Sequence, residues 1–364
     1  MRSSWYILKE EVNTRESNSN NRTQYKQKNY TYTTYIHQMM FRGSVLLLLG
    51  CFVNGIMNQA VVPKYDNSHA INLDEIHAIN SFNNRTWTAG INDFLRNKTV
   101  QDVHHLCGTV LVHDKEDVTP HVSHTEGELR NVTVPPEFDV RTKWPQRIHP
   151  IRNQERCGSC WAFSAAEVLS DRFTIATNGA TNVVLSPEDL VSCDTDNMGC
   201  SGGQLPTAWQ YMKDTGIVSD ACFPYTSGDG TSSTCRHTCE DSEQFAKSKH
   251  KVAHYYKLRT VEDIQKDIMS RGPVQAAFRV YKSFMSYKSG VYQRSWWKFW
   301  DFMMGGHAVK IVGWGTTDTD PKVEYWTVAN SWDTTWGENG YFRIKRGVNM
   351  CGIESNVYAG QPLL

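Results

Sequence analysis

One cysteine of this chain lies in a context that favours chemistry over packing. Cys160 follows a Gly-Ser turn within residues 154–164, and apolar residues then recur at helical spacing as far as Phe173. The pattern predicts a helix that has Cys160 in its first turn and Ser159 as its N-cap. Unpaired N–H groups and the positive end of the helix dipole would favour a thiolate there. A thiolate is the nucleophile that cysteine chemistry requires, although an isolated cysteine is more often structural.

Two downstream motifs supply partners for such a nucleophile. His307 follows two glycines and precedes an apolar, strand-like run, and Asn330 lies within the sequence Val-Ala-Asn-Ser-Trp. A nucleophilic cysteine needs a base that pairs with its thiolate, and the base needs a third group that holds it in one tautomer. Each residue alone has an ordinary structural explanation. Their occurrence together predicts a Cys160, His307 and Asn330 site.

These motifs resemble those of the papain family of cysteine proteases. Cys-Gly-Ser-Cys-Trp at 157–161 is typical of that family. Met-Met-Gly-Gly-His at 303–307 and Cys-Gly-Ile-Glu-Ser at 351–355 are similar to its cathepsin B-like branch, and the resemblance extends from about residue 71 to residue 364. It implies an α+β fold of two lobes, mainly helical first and a β-barrel from about residue 250. The active site would lie in the cleft between them.

Patterns in the residues agree with that order. Ser186 and Thr260 predict capped helix starts, and Pro206 opens a further helix that closes at Gly216. Beyond these helices, short apolar runs predict strands at 274–280, 308–314, 324–330 and 340–345. A chain of 364 residues is long enough for two such lobes.

The chain divides into four predicted segments. Residues 1–38 are rich in polar residues and are interpreted as a disordered leader or an untranslated extension, with translation starting at Met39 or Met40. Residues 39–55 have the pattern of a secretory signal and are too short to span a bilayer. Residues 56–133 resemble the propeptide of cathepsin B-like zymogens, and residues 134–364 would be the mature protease. An accessory domain is the weaker alternative for 56–133, which has too few apolar residues for its own core.

A secretory signal predicts passage through the secretory pathway, to a lysosome or acidic vesicle or out of the cell. Sequons at Asn84, Asn97 and Asn131 follow the signal and are predicted glycosylation sites. Two earlier sequons, at Asn21 and Asn29, are expected by chance in an Asn-rich stretch. Charge is balanced and no basic run occurs, which argues against nucleic acid as a partner. No stable membrane insertion is expected.

The chain contains 10 cysteines, which in an oxidising compartment are expected to pair. Cys51 falls in the signal and Cys107 in the propeptide, and sequence alone leaves the pairing of the others open. The resemblance implies the disulfides Cys157–Cys200, Cys193–Cys235 and Cys222–Cys239, with Cys351 free. A zinc site at Cys235, His237 and Cys239 is the rival interpretation. Arg147 and Thr174 stand where the family has a further disulfide.

The resemblance also assigns roles at the site. Cys160 would attack the scissile carbonyl, His307 would be its base, Asn330 would orient His307, and Trp332 would shield that contact from water. Gln154 and the Cys160 backbone N–H would form the oxyanion hole. No metal and no other cofactor is implied.

Substrate-binding residues follow from the same resemblance. Gly202 and Gly203 would bind the substrate backbone, where glycine allows close approach. Leu205, Ala277 and Ala308 would line the main specificity pocket. Glu354 would form its floor and accept Arg or Lys at the second residue before the cut.

The predicted activity is that of a cysteine endopeptidase made as a zymogen. Its partners would be protein and peptide substrates, its own propeptide as inhibitor, and cystatin-type inhibitors. The alternatives are a dipeptidyl carboxypeptidase and a non-catalytic, protease-like binding protein. Phe223–Thr234 is shorter than the loop that grips a C-terminal carboxylate in cathepsin B, and it lacks His, Lys and Arg. Conversely, Arg294–Trp300 is a longer, aromatic-rich connection whose Arg294 and Lys298 offer positive charge.

Overall fold

The computed structural model describes residues 68–83, 85–113, 116–124, 129–240, 244–294 and 301–364. Its helices are α1 (Leu73–Asn80), α2 (Val100–His104), α3 (Val140–Lys143), α4 (Cys160–Ala176), α5 (Pro187–Cys193), α6 (Leu205–Asp214) and α7 (Val261–Arg271). Its strands are β1 (Trp87–Ala89), β2 (Phe138–Asp139), β3 (Val252–Leu258), β4 (Val274–Tyr281), β5 (Tyr287–Tyr292), β6 (Met303–Thr316), β7 (Glu324–Ala329), β8 (Tyr341–Lys345) and β9 (Asn356–Pro362). The predicted leader, the predicted signal and residues 295–300 lie outside the described residues.

The strands of the described residues form one continuous path. Its order is β1-β5-β8-β7-β6-β4-β9-β3, and β2 pairs beside β6. Neighbours are antiparallel except β5 and β8, which run parallel. The path has two ends, β1 and β3, so the sheet is open and differs from the closed barrel that was expected. The predicted α+β class with a helical and a strand-rich lobe is confirmed.

Two buried clusters correspond to the two lobes. The helical cluster is built from α4, α5 and α6, and the larger cluster lies around the sheet and α7. Helix α4 is buried from Cys160 to Thr174, charged residues included, because both clusters press on it. Inside, Lys310 of β6 lies 2.8 Å from Asp171 and 3.6 Å from Glu167 of α4. A buried ion pair therefore ties the helix that begins at Cys160 to the strand that carries His307.

Local sequence explains most helix boundaries. The side chain of Ser186 accepts from the Asp189 N–H at the start of α5, and that of Thr260 accepts from the Asp263 N–H at the start of α7. The prediction for Ser159 is half right. Ser159 is the residue before α4, but its hydroxyl pairs with the Tyr225 hydroxyl at 3.1 Å and caps no backbone group. The Ser159 side chain thus takes none of the N–H groups at that helix end, whereas its carbonyl accepts from the Ala162 and Phe163 N–H groups at 2.9 Å.

The segment that precedes residue 134 runs across the rest of the structure at three places. Strand β1 pairs with β5 at one end of the sheet. Residues 106–111, here called the cleft segment, pass beside Cys160 and bridge to Gly203 and Gly306. Residues 117–124, here called the anchor segment, lie along β3 at the other end of the sheet. In the part of the chain that the structure describes, no helix is both long and apolar enough to cross a membrane.

Candidate active site

The structure brings together side chains that lie far apart in the chain. The His307 Nε2 and Asn330 Oδ1 atoms are 2.7 Å apart, so the Nε2–H donates to the amide oxygen. The ring of Trp332 lies over the imidazole, with centroids 4.7 Å apart and planes at 33°. Cys160, His307, Asn330 and Trp332 are each at most 1% exposed. Since Nε2 holds the proton toward Asn330, Nδ1 is the nitrogen left to act as base.

The electrostatic surroundings of Cys160 favour its thiolate. Burial alone raises the pKa of this thiol, but the charge of His307 lowers it, and hydrogen bonds from the Thr109 hydroxyl and the Ala308 N–H lower it further. Together they outweigh burial, so the pKa lies below its ordinary value. Among the described residues His307 Nδ1 has no hydrogen-bond partner within normal distance, so the charge of the ring is the cause that the geometry supports.

Gln154 is held rigidly beside Cys160. Its Oε1 accepts a hydrogen bond from the Ser331 hydroxyl at 2.7 Å, next to Asn330 in the chain. Its Nε2 donates to the Cys157 carbonyl at 2.8 Å and to the Leu106 carbonyl at 3.1 Å. The Leu106 carbonyl of the cleft segment therefore occupies the position where Gln154 would meet the oxygen of a reacting carbonyl.

The cleft segment is gripped through its backbone. The Thr109 N–H donates to the Gly306 carbonyl at 3.0 Å, and the Val110 N–H donates to the Gly203 carbonyl at 2.9 Å. The Gly203 N–H donates to the Gly108 carbonyl at 2.9 Å. At Gly202, which has φ +124°, a Cβ would lie 2.3 Å from that same carbonyl oxygen. Glycine is needed here because an extended chain passes at van der Waals distance.

Three of the predicted pocket residues lie in one buried cluster, and two of them share a face of the sheet. Ala277 of β4 pairs with Ala308 of β6 on one side and with Asn356 of β9 on the other. Directly paired residues of neighbouring strands point to the same face of a sheet. Leu205, Ala277 and Ala308 belong to one buried cluster with Cys160, and Leu111 of the cleft segment packs against it. An apolar side chain of the N-terminal segment thus packs against the cluster that contains these three residues.

Glu354 lies elsewhere, which corrects its predicted place at the pocket floor. Its Oε1 accepts from Trp326 Nε1 at 2.9 Å and from the Gly347 N–H at 2.7 Å, and its Oε2 accepts from the Asn349 N–H at 2.7 Å. Both oxygens thus hold a turn and a buried indole in place. Asn356, two residues further on, is the residue that pairs with Ala277.

The short loop at residues 223–234 is held against the helical lobe by hydrogen bonds. Glu188 of α5 accepts from the N–H groups of Thr226 and Ser227 and from the hydroxyls of Ser227 and Ser233. Arg294 begins the aromatic-rich connection that was the other candidate for binding a C-terminal carboxylate. Its guanidinium carbon lies 3.6 Å from the centroid of the Tyr281 ring, and its Nε atom lies 3.4 Å from Asp301 Oδ2. The charge of Arg294 is therefore matched by a carboxylate, while Lys298 lies outside the described residues.

The cysteines pair as the resemblance implies. The disulfides are Cys157–Cys200, Cys193–Cys235 and Cys222–Cys239. Cys235 and Cys239 both form disulfides, which contradicts the alternative of a zinc site there. In the described residues Cys107, Cys160 and Cys351 carry free thiols, and burial raises the pKa of Cys351 to about 12. Asn97 and Asn131 are exposed, whereas Asn84 lies outside the described residues.

Sequence reasoning missed several residues that build the site. Ser331 orients Gln154, Thr109 contacts the Cys160 sulfur at 3.1 Å, and Lys310 connects the two lobes. Ser331 and Lys310 each lie within three residues of a predicted site residue. Proximity in the chain was thus the one signal available for these two. Nothing local to Thr109 indicated its position.

Comparison with known proteins shows the family of the chain. The profile of the papain family cysteine proteases matches residues 134–361, and the chain belongs to this family. Within the family it is cathepsin B-like. It is 44% identical over 257 residues to Cathepsin B-like cysteine proteinase 3 of Caenorhabditis elegans, and this alignment covers 64% of this chain and 68% of that protein. It is 38% identical over 296 residues to Cathepsin B-like CP2 of Giardia intestinalis, with coverages of 80% and 94%.

A solved zymogen has a similar structure. ProCathepsin B S9 from Trypanosoma congolense matches with a TM-score of 0.72 and 34% identity, over 81% of this chain and 99% of that one. The alignment therefore extends to the N-terminal segment and is not confined to the part that the family profile matches.

Proposed function

We propose that the chain is the zymogen of a cysteine endopeptidase that acts through Cys160, His307 and Asn330. The observation that carries this proposal is a buried thiol of lowered pKa at the start of a helix, beside an imidazole held by Asn330 at 2.7 Å. The His307 Nδ1 takes the proton of Cys160, and the thiolate attacks the substrate carbonyl. His307 then protonates the leaving amine, and water hydrolyses the thioester.

The oxyanion of this reaction would be stabilised by Gln154 and the Cys160 N–H. The present contact of Gln154 Nε2 with the Leu106 carbonyl supports this role, because it shows the amide able to donate into the cleft. A single donor of this kind contributes roughly 3–4 kcal/mol to transition-state stabilisation. Trp332, stacked on His307, keeps water from the hydrogen bond between His307 and Asn330.

Substrate would run beside Gly202 and Gly203, as the cleft segment does now. Leu111 packs against the buried cluster that contains Leu205, Ala277 and Ala308, and this supports an apolar preference in that pocket. The carboxylate of Glu354 is engaged with Trp326 and Asn349, so it would not accept an Arg or Lys of the substrate. Residues before about 134 would be a propeptide that fills the cleft until removed, in the secretory pathway or an acidic vesicle. Glycans at Asn97 and Asn131 and inhibition by cystatin-type proteins belong to the same proposal.

Substitution of the reacting groups tests the enzyme proposal. Cys160→Ala and His307→Ala should each abolish hydrolysis of a fluorogenic peptide by the processed protein, because the nucleophile or its base is gone. Cys351→Ser is the matched control, since burial raises the pKa of this second free thiol to about 12 and keeps it protonated. Near-normal turnover by Cys160→Ala would refute the proposal.

Internal cleavage is proposed over removal of C-terminal dipeptides. The pinned loop 223–234 offers no cation for a terminal carboxylate, and the charge of Arg294 is matched by Asp301. One peptide is compared with a free and with an amidated C-terminus. We expect equal rates and internal products. A strong preference for the free carboxylate, with dipeptides as product, would instead establish the carboxypeptidase and point to Lys298.

A further inference from the structure

The anchor segment adds an extra piece of strand to the sheet. Strand β3 is the last strand of the path, so its outer edge has no neighbour among the other strands of the described residues. The Lys257 N–H donates to the Pro120 carbonyl at 2.8 Å, and the Val122 N–H donates to the Lys257 carbonyl at 3.1 Å. Pairing of an extended peptide with an open strand edge is a general mode of peptide recognition.

The first side chain that this edge receives is acidic. The Asp117 Oδ2 atom lies 2.9 Å from Lys257 Nζ and accepts from the Tyr358 hydroxyl at 2.5 Å. The side chains of Asp117 and Lys257 are each 1% exposed. Burial by itself raises the pKa of Asp117, but hydrogen bonds from Tyr358, Thr119 and Lys257 lower it to about 2. The carboxylate is therefore bound as an anion.

The second side chain is a histidine. The His124 Nε2 atom lies 2.8 Å from Asp267 Oδ2, and the His124 N–H donates to Asp263 Oδ1 at 2.6 Å. The His124 side chain is 3% exposed. Asp267 is held in turn by Arg172 and by the Tyr256 hydroxyl. This arrangement is a preorganised socket in which a ring N–H completes the hydrogen bonds of a buried carboxylate.

Apart from Thr119 of the anchor segment itself, the groups named here that receive these two side chains lie after the proposed start of the mature enzyme, on β3, β9 and α7. None of it contacts Cys160 or His307 in the hydrogen bonds and ion pairs given above. We propose that this surface, here called the edge site, remains on the mature enzyme as a second peptide-binding site. Its ligand is an extended peptide with a carboxylate and a histidine spaced as Asp117 and His124 are, and its occupant is the cut propeptide. The inference rests on the proposed function only for the removal of residues before 134.

A binding measurement tests the edge site directly. The full-length precursor is processed, freed of propeptide and alkylated at Cys160, and a labelled peptide covering residues 116–124 is titrated in by fluorescence anisotropy. We expect saturable binding that alkylation leaves unchanged. Peptides with Asp117→Asn or His124→Ala should bind at least about tenfold more weakly, because each truncates one partner of a buried, hydrogen-bonded charged contact.

Matched controls lie within the same peptide. Glu116→Gln and His121→Ala alter an exposed carboxylate and an exposed histidine of the same segment and should leave the Kd within roughly twofold. Unprocessed Cys160→Ala precursor, in which the anchor segment fills the site, should bind no peptide. Absence of saturable binding, or equal weakening by all four substitutions, would overturn the proposal. Peptidase activity is measured on the same preparation before alkylation, so failure of the edge site is distinguishable from failure of the proposed function.

Discussion

The cleft segment and the anchor segment are held against the rest of the chain by different kinds of contact. Residues 106–111 are held by backbone hydrogen bonds to Gly203 and Gly306 and by the contact of Leu106 with Gln154. Residues 117–124 add two buried polar side chains, Asp117 and His124, to their backbone pairing. Backbone contacts accept many sequences, whereas buried charged contacts accept few. A cleft that takes varied substrates, as proposed, would not recognise the proposed propeptide strongly by side chains, and the buried side-chain contacts lie outside it.

The largest effect is expected from Asp117→Asn in the precursor. It deprives the buried Lys257 ammonium of this carboxylate, and breaking a buried ion pair costs about 3–5 kcal/mol. Urea unfolding of the full precursor should show the loss, with Glu116→Gln as the control that removes an exposed carboxylate next door. Activity of the uncut precursor should stay low, since the cleft segment is untouched. A precursor that is fully active but of unchanged stability would contradict this division of roles.

A smaller effect, on the activity of the uncut precursor, is expected from Gly108→Ala. Its Cβ would lie 2.0 Å from the Gly158 carbonyl oxygen, beside the Cys157–Cys200 disulfide, so the cleft segment must move away. Overpacking of this kind costs about 1–3 kcal/mol, which corresponds to roughly fivefold to 150-fold more turnover by uncut precursor. The readout is small-peptide hydrolysis before any cleavage of the chain. Val110→Ala, at a side chain 38% exposed, is the control and should remain latent.

The smallest effect concerns pH. The pKa of Asp117 is about 2 when bound, below the ordinary value of about 3.9 for a free Asp. A lowered pKa contributes binding that is fully present above the free pKa and is lost as pH falls through the bound pKa. The ratio of Kd values for the Asp117→Asn and unchanged peptides should therefore be constant from pH 7 to 5 and shrink only below about pH 4. A ratio that falls between pH 7 and 5 would place another titrating group in control.

Sequence predicted the parts of the site that sit in compact local motifs. Cys160 and His307 each lie among glycines and apolar residues that indicate a turn, a helix or a strand within a few positions. Glu354 was misplaced because its partners Trp326 and Gly347 come from other elements, and no local pattern shows which of two nearby residues faces the pocket. Asp117 and His124 were missed for the same reason, since their partners follow more than a hundred residues later. The open sheet was missed because runs of apolar residues predict strands and not which strands pair.

The part of the chain that is proposed to leave supplies β1 at one end of the strand path and the anchor segment beside β3 at the other. Strand β1 covers β5, and the anchor segment covers β3. Maturation would therefore uncover two strand edges at once, and open edges invite association between copies of a protein. Each uncovered strand carries a lysine, Lys288 on β5 and Lys257 on β3. Charged lysines at strand edges oppose such association. These two lysines would therefore limit self-association of the processed enzyme once the N-terminal segment has been removed.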